Sequence, residues 1–78
     1  MRVIEQKAYS YLLMEDSNDW YLTFFTGGPV EIDICVKLNQ QEIEGIKNGE
    51  LTASTLVQTF LGDQTKYESR RIIPSIRP

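Results

Sequence analysis

The chain has 78 residues, close to the lower size at which one apolar core holds a fold without disulfides or metals. Apolar residues make up 41% and charged residues 24%, which excludes the polar, charge-rich composition of a disordered chain. The formal net charge is −3, and with no overall positive excess the sequence argues against a nucleic-acid partner.

Cys35 is the only cysteine, so no disulfide forms within one chain. The start, Met1-Arg2-Val3-Ile4-Glu5-Gln6-Lys7, lacks the apolar stretch of a signal peptide. No run of about 18 apolar residues occurs, so the expectation is no membrane span and a cytoplasmic setting. Charge is unevenly spread. Between Glu15 and Glu50 eight acids face only Lys37 and Lys47, a balance of −6, whereas beyond Asp63 four basic residues face Glu68, a balance of +3. There are no repeats, and residues 1–78 read as one α+β domain.

Residues 3–14 read as a first strand, with Tyr9, Tyr11 and Leu13 on one face and Ala8, Leu12 and Met14 on the other. The cluster Glu15-Asp16-Ser17-Asn18-Asp19 has turn composition, and Trp20 to Phe25 is rich in aromatic residues that suit a pleated surface. An antiparallel hairpin follows. Gly27-Gly28-Pro29 interrupts the chain. A third strand then alternates Val30, Ile32, Ile34, Val36 and Leu38 with Glu31, Asp33, Cys35 and Lys37, which requires one buried face.

The period then changes to that of a helix. Asn39 caps a short helix, Glu42 completes a variant of the capping box, and Asn48-Gly49 ends it. Gly45 in its interior costs about 1 kcal/mol relative to alanine. Thr52 or Ser54 caps a second helix with Ala53, Leu56, Val57, Phe60 and Leu61 on one stripe, closed by Gly62. Lys66 to Ile73 reads as a last strand or an extended arm, and residues 74–78 as an irregular tail limited by Pro74 and Pro78. The expected fold is an antiparallel sheet of three to four strands, in the order β-β-β-α-α-β, with two short helices on one face.

Histidine is absent, which removes the commonest general base and metal ligand. A single cysteine gives no thiolate zinc site, and Gly27-Gly28 lacks the lysine and the strand-to-helix setting of a phosphate loop. No catalytic residue, cofactor or metal is therefore expected. Glu31 and Asp33 share a strand face and can in principle chelate a cation or act as an acid/base pair; the simpler reading is a solvated face that discourages edge pairing. Glu15-Asp16-Asn18-Asp19 resembles a fragment of a calcium loop but lacks its central glycine and distal glutamate. For Cys35 a passive small residue competes with a reactive thiol.

Aromatic residues are the more informative group. Trp20, Leu22 and Phe24 fall on one side of a strand, Tyr21, Thr23 and Phe25 on the other. One set fills the core, and the other leaves aromatics for a second face, where they anchor a protein partner or lie under loops or the C-terminal arm. Arg70 and Arg71 point to opposite faces of an extended chain, one toward the monomer's own acids and one toward a partner's carboxylate.

The arrangement Trp20-Tyr21-Leu22-Thr23-Phe24-Phe25, Gly27-Gly28, a strand, a helix opening at Asn39-Gln40-Gln41-Glu42 and a late Arg70-Arg71-Ile72 is similar to small bacterial α+β domains, some of which look like the immunity proteins that neutralise toxins. The resemblance is one of layout over most of the chain and implies an acidic surface made to cover a basic site. The expectation is thus a protein-binding module, with Trp20, Tyr21, Phe25, Glu31, Asp33, Arg70 and Arg71 as candidate contact residues. A homodimer joined through the aromatic face or a strand edge is the alternative, and a carboxylate- or metal-dependent enzyme the remote one.

Overall fold

A computed structural model describes residues 2–8, 10–25 and 33–73. Its elements are strands β1 (Arg2–Lys7), β2 (Tyr11–Asp16), β3 (Asp19–Phe25) and β4 (Asp33–Lys37), helices α1 (Gln40–Asn48) and α2 (Ala53–Gly62), two 3-10 turns (Gln64–Lys66 and Glu68–Arg70) and a two-residue strand β5 (Arg71–Ile72). The strands form one antiparallel sheet in chain order, β1-β2-β3-β4-β5.

The α+β class, the antiparallel sheet and the two helices match the sequence reading, but among the described residues the sheet has five strands rather than three or four. The difference arises in the first segment. Residues 3–14 are not one strand: Ser10 N–H donates to the Lys7 carbonyl at 3.0 Å, and the chain reverses there, so that Lys7 pairs with Tyr11. No glycine or proline marks this turn, and apolar residues on both faces of the segment 8–14 carried the expected strand straight through it. The second hairpin is better signalled. Ser17 and Asn18 both have positive φ, 53° and 72°, the geometry of the two-residue turn that matches strand twist.

Register then divides the side chains into two faces. Tyr11, Leu13, Trp20, Leu22, Phe24, Ile34, Val36 and Leu38 lie on one side and cluster with Ile43 of α1 and with Ala53, Leu56, Val57 and Phe60 of α2. Apolar burial of this kind contributes about 1.5–3 kcal/mol for each large side chain. Tyr67, between the two 3-10 turns, closes the core: its ring centroid lies 5.7 Å from Phe24 and 5.5 Å from Phe60, both edge-on. Nothing in the polar run Asp63 to Arg71 marks Tyr67 as a core residue. Leu61, by contrast, is 46% exposed and lies off the buried stripe of α2 on which the sequence pattern placed it.

Both helix starts follow local chemistry. Glu42 N–H donates to Asn39 Oδ1 at 2.8 Å and Asn39 N–H to Glu42 Oε1 at 2.9 Å, a reciprocal box. Thr52, not Ser54, caps α2 through Thr55 N–H. Gly49 ends α1 with φ 79°, and the N–H groups of Glu50 and Leu51 both reach the Gly45 carbonyl. The segment 66–73, expected as a last strand or an extended arm, is mostly 3-10 turn, with pairing among the described residues confined to Cys35↔Ile72 and Val36↔Arg71. Tyr9, the Gly27-Gly28-Pro29 break, Val30 to Ile32 (with Glu31) and the tail 74–78 lie outside the described residues.

Candidate functional site

The face of the sheet opposite the helices is the feature that core packing does not account for. Strand alternation puts Leu12, Met14 and Asp16 of β2, Asp19, Tyr21, Thr23 and Phe25 of β3, and Asp33, Cys35 and Lys37 of β4 on this second face. Its centre is closed: Met14 and Cys35 are 0% exposed and Thr23 is 5% exposed. Its rim is open. Leu12, Tyr21, Phe25 and Ile72 are half-buried, and Val3 of β1, opposite Met14, is exposed.

Charge on this face is mainly negative. Asp16 and Asp19 sit opposite each other beside the Ser17-Asn18 turn, and Asp33 lies at the far end of the same face, half-buried. Lys37 approaches Asp19 at 3.6 Å, an exposed pair worth little. The register thus gathers two aromatic side chains and three carboxylates on one surface. At the centre, the Thr23 hydroxyl is buried with no hydrogen-bond partner among the described residues, directly across the ladder from Cys35. The Cys35 thiol is enclosed, which bars direct attack on a solute.

The other candidates lie elsewhere. Trp20 is 5% exposed within the helix-side core; its indole N–H donates to Glu15 Oε2 at 3.2 Å, and Lys47 Nζ stands 5.6 Å from the ring centroid. Arg70 is engaged within the chain. Its guanidinium donates to both oxygens of Glu42 (2.6 and 3.3 Å), to the Lys37 carbonyl (3.1 Å) and to the Lys66 carbonyl (2.7 Å), and it lies 6.0 Å from the Phe60 ring. It ties α1, the end of β4 and the 3-10 turns together. Arg71 is exposed in β5. The structure therefore brings Tyr21, Phe25 and Asp33 onto one face, puts Trp20 and Arg70 on the other side of the sheet, and says nothing of Glu31.

Two titratable groups depart from their ordinary behaviour. The Tyr11 phenol is held above its usual range, first by its hydrogen bond to the Glu5 carboxylate and then by burial and by the Glu5 charge. Asp63, whose carboxylate caps the first 3-10 turn, is held below the carboxylate range by the Thr65 hydroxyl and backbone N–H that donate to it. Both serve local structure and neither adjoins the second face. Among the described residues, no three Cys, Asp or Glu side chains gather about a common point, and no helix is long and apolar enough to cross a membrane. Sequence reasoning missed Met14 and Thr23 as the buried centre of this face; the alternation of β2 and β3 contained the signal, but strand limits had to be right before it could be read.

No family model matches the chain, and no curated protein or solved structure shows significant similarity to it.

Proposed function

We propose that this chain is a non-catalytic protein-binding module of the inhibitory or immunity-like kind, acting in the cytoplasm and meeting a foreign protein through the second face of its sheet. The observation that supports this is the register that collects Tyr21 and Phe25 with Asp16, Asp19 and Asp33. Aromatic anchors ringed by charge are the usual composition of a protein contact, and the sign of the rim calls for a basic partner surface. Trp20 and Arg70 support the module from within rather than touching the partner. Arg71 and Glu31 are contacts that the sequence suggests and that this reading does not require.

The test is capture from native lysate at low salt, with the same bait carrying Tyr21→Ala and Phe25→Ala, or Asp16→Asn and Asp19→Asn. The wild type should retain a stoichiometric foreign protein that high salt releases. Each aromatic truncation should weaken the complex by about 2 kcal/mol, roughly thirtyfold, and the amide pair should remove most of the salt dependence. Retention of the same protein by both variants at unchanged salt sensitivity would place the contact elsewhere.

A further inference from the structure

We propose that the outer edge of β1 is a self-association site, at which two copies of this chain pair antiparallel about Gln6 and join their sheets into one. This goes beyond the reading of the second face and does not rest on it, because β1 lies at the sheet margin and its charged side chains stand on the helix side.

β1 pairs only with β2 and bounds the sheet among the described residues. The opposite margin, β5, is two residues long and too short to template a strand. Within β1 the Lys7 carbonyl accepts from Ser10 N–H, so the polar groups of Lys7 face β2. By strand alternation the N–H and C=O of Gln6 face outward. The half of β1 that carries Arg2 to Ile4 is interrupted by a bulge between Val3 and Glu5, a device that blunts edges, whereas Glu5 to Lys7 pairs regularly with Leu13 to Tyr11.

The regular half is charged in a self-complementary way. Glu5 and Lys7 flank Gln6 on the same face, opposite Leu13 and Tyr11. In an antiparallel pair centred on Gln6, the two Gln6 residues exchange both backbone hydrogen bonds, and each Glu5 lies across from Lys7 of the second copy. Centring on Glu5 or Lys7 instead sets like charges opposite each other, and a parallel pair aligns Glu5 with Glu5. Both groups are available. Tyr11 takes Glu5 Oε2, leaving Oε1, and Lys7 makes no ion pair among the described residues. Cross-strand pairs of opposite charge stabilise a sheet and like charges destabilise it. The occupant this edge fits is therefore a second copy of the same strand.

The test is sedimentation equilibrium over a wide dilution series, with circular dichroism confirming the fold of each variant. The wild type should pass from monomer to dimer with rising concentration. Glu5→Lys alone and Lys7→Glu alone should each weaken the dimer about tenfold, and an equimolar mixture of the two should restore it as a heterodimer, since both cross-strand pairs regain opposite signs. Gln6→Pro, which removes an outward N–H without touching the β1–β2 ladder, should yield a folded monomer. If Gln6→Pro disrupts the fold, the charge-swap mixture decides. A wild type that stays monomeric throughout, or a dimer indifferent to the single swaps, overturns the proposal. The double variants at Tyr21 and Phe25 should dimerise normally, which separates this result from any failure of foreign-protein capture.

Discussion

Thr23 places a hydroxyl in the closed centre of the second face, between Leu12 and Cys35 of the neighbouring strands, and no described residue gives it a hydrogen bond. An unsatisfied buried hydroxyl costs about 1–3 kcal/mol relative to its solvated state, and valine has the same shape and is likewise strand-favouring. Thr23→Val should therefore raise stability by about 1 kcal/mol in denaturant unfolding. A loss of stability would mean that the hydroxyl is satisfied by a group other than the described residues. Trp20 shows the opposite relation between residue type and role. Its size and polar N–H suggest a contact residue, yet Glu15 takes the N–H and the ring sits in the core. Residue type alone does not separate an anchor from a core aromatic; strand parity does.

At the scale of the element, α1 tests propensity against packing. An alanine at Gly45 should gain about 1 kcal/mol in an isolated helix. In this fold a methyl group there would stand 3.0 Å from Leu51 Cβ, which is fixed to the backbone where the chain turns back after Gly49. Gly45→Ala should therefore bring no gain in thermal midpoint, while a Gly45→Ala, Leu51→Ala pair should show coupling; additive effects would remove the steric argument. The cap of α1, most of the apolar stripe of α2 and the β2–β3 hairpin were legible, because each depends on residues close in sequence, whereas the exposure of Leu61 and the choice of Thr52 over Ser54 as cap were not. The break between β1 and β2 was not, since the turn after Lys7 is held by a backbone hydrogen bond and no turn residue announces it. The 3-10 path from Gln64 to Arg70 was also hidden. It is set by distant partners, Phe24 and Phe60 for Tyr67 and Glu42 for Arg70. For the candidate site, the separation of Tyr21 and Phe25 from Trp20 could be read from parity, whereas the closed centre at Met14, Thr23 and Cys35 needed the register of three strands.

For the molecule as a whole, Arg70 has the widest reach of any charged side chain described, with Glu42 in α1, the Lys37 carbonyl after β4 and the Lys66 carbonyl all on one guanidinium. Glu42 also completes the cap of α1, so the ion pair and the helix start depend on one another. Arg70→Met keeps much of the apolar stem but leaves a largely buried carboxylate without its cation, and should cost about 2 kcal/mol. That is a large share of the stability of a domain this small. Urea unfolding would measure it, and a cost below about 0.5 kcal/mol would make the pair an ordinary surface contact. The order of strands carries a further consequence, for speed rather than stability. Each of β2, β3 and β4 lies beside its predecessor in the chain, so most of the sheet pairs strands that are neighbours in sequence, and the long closure among the described strands is the return of β5 to β4 after both helices. Early folding should run through the local meander, with the docking of Tyr67 and Arg70 as the last and slowest search.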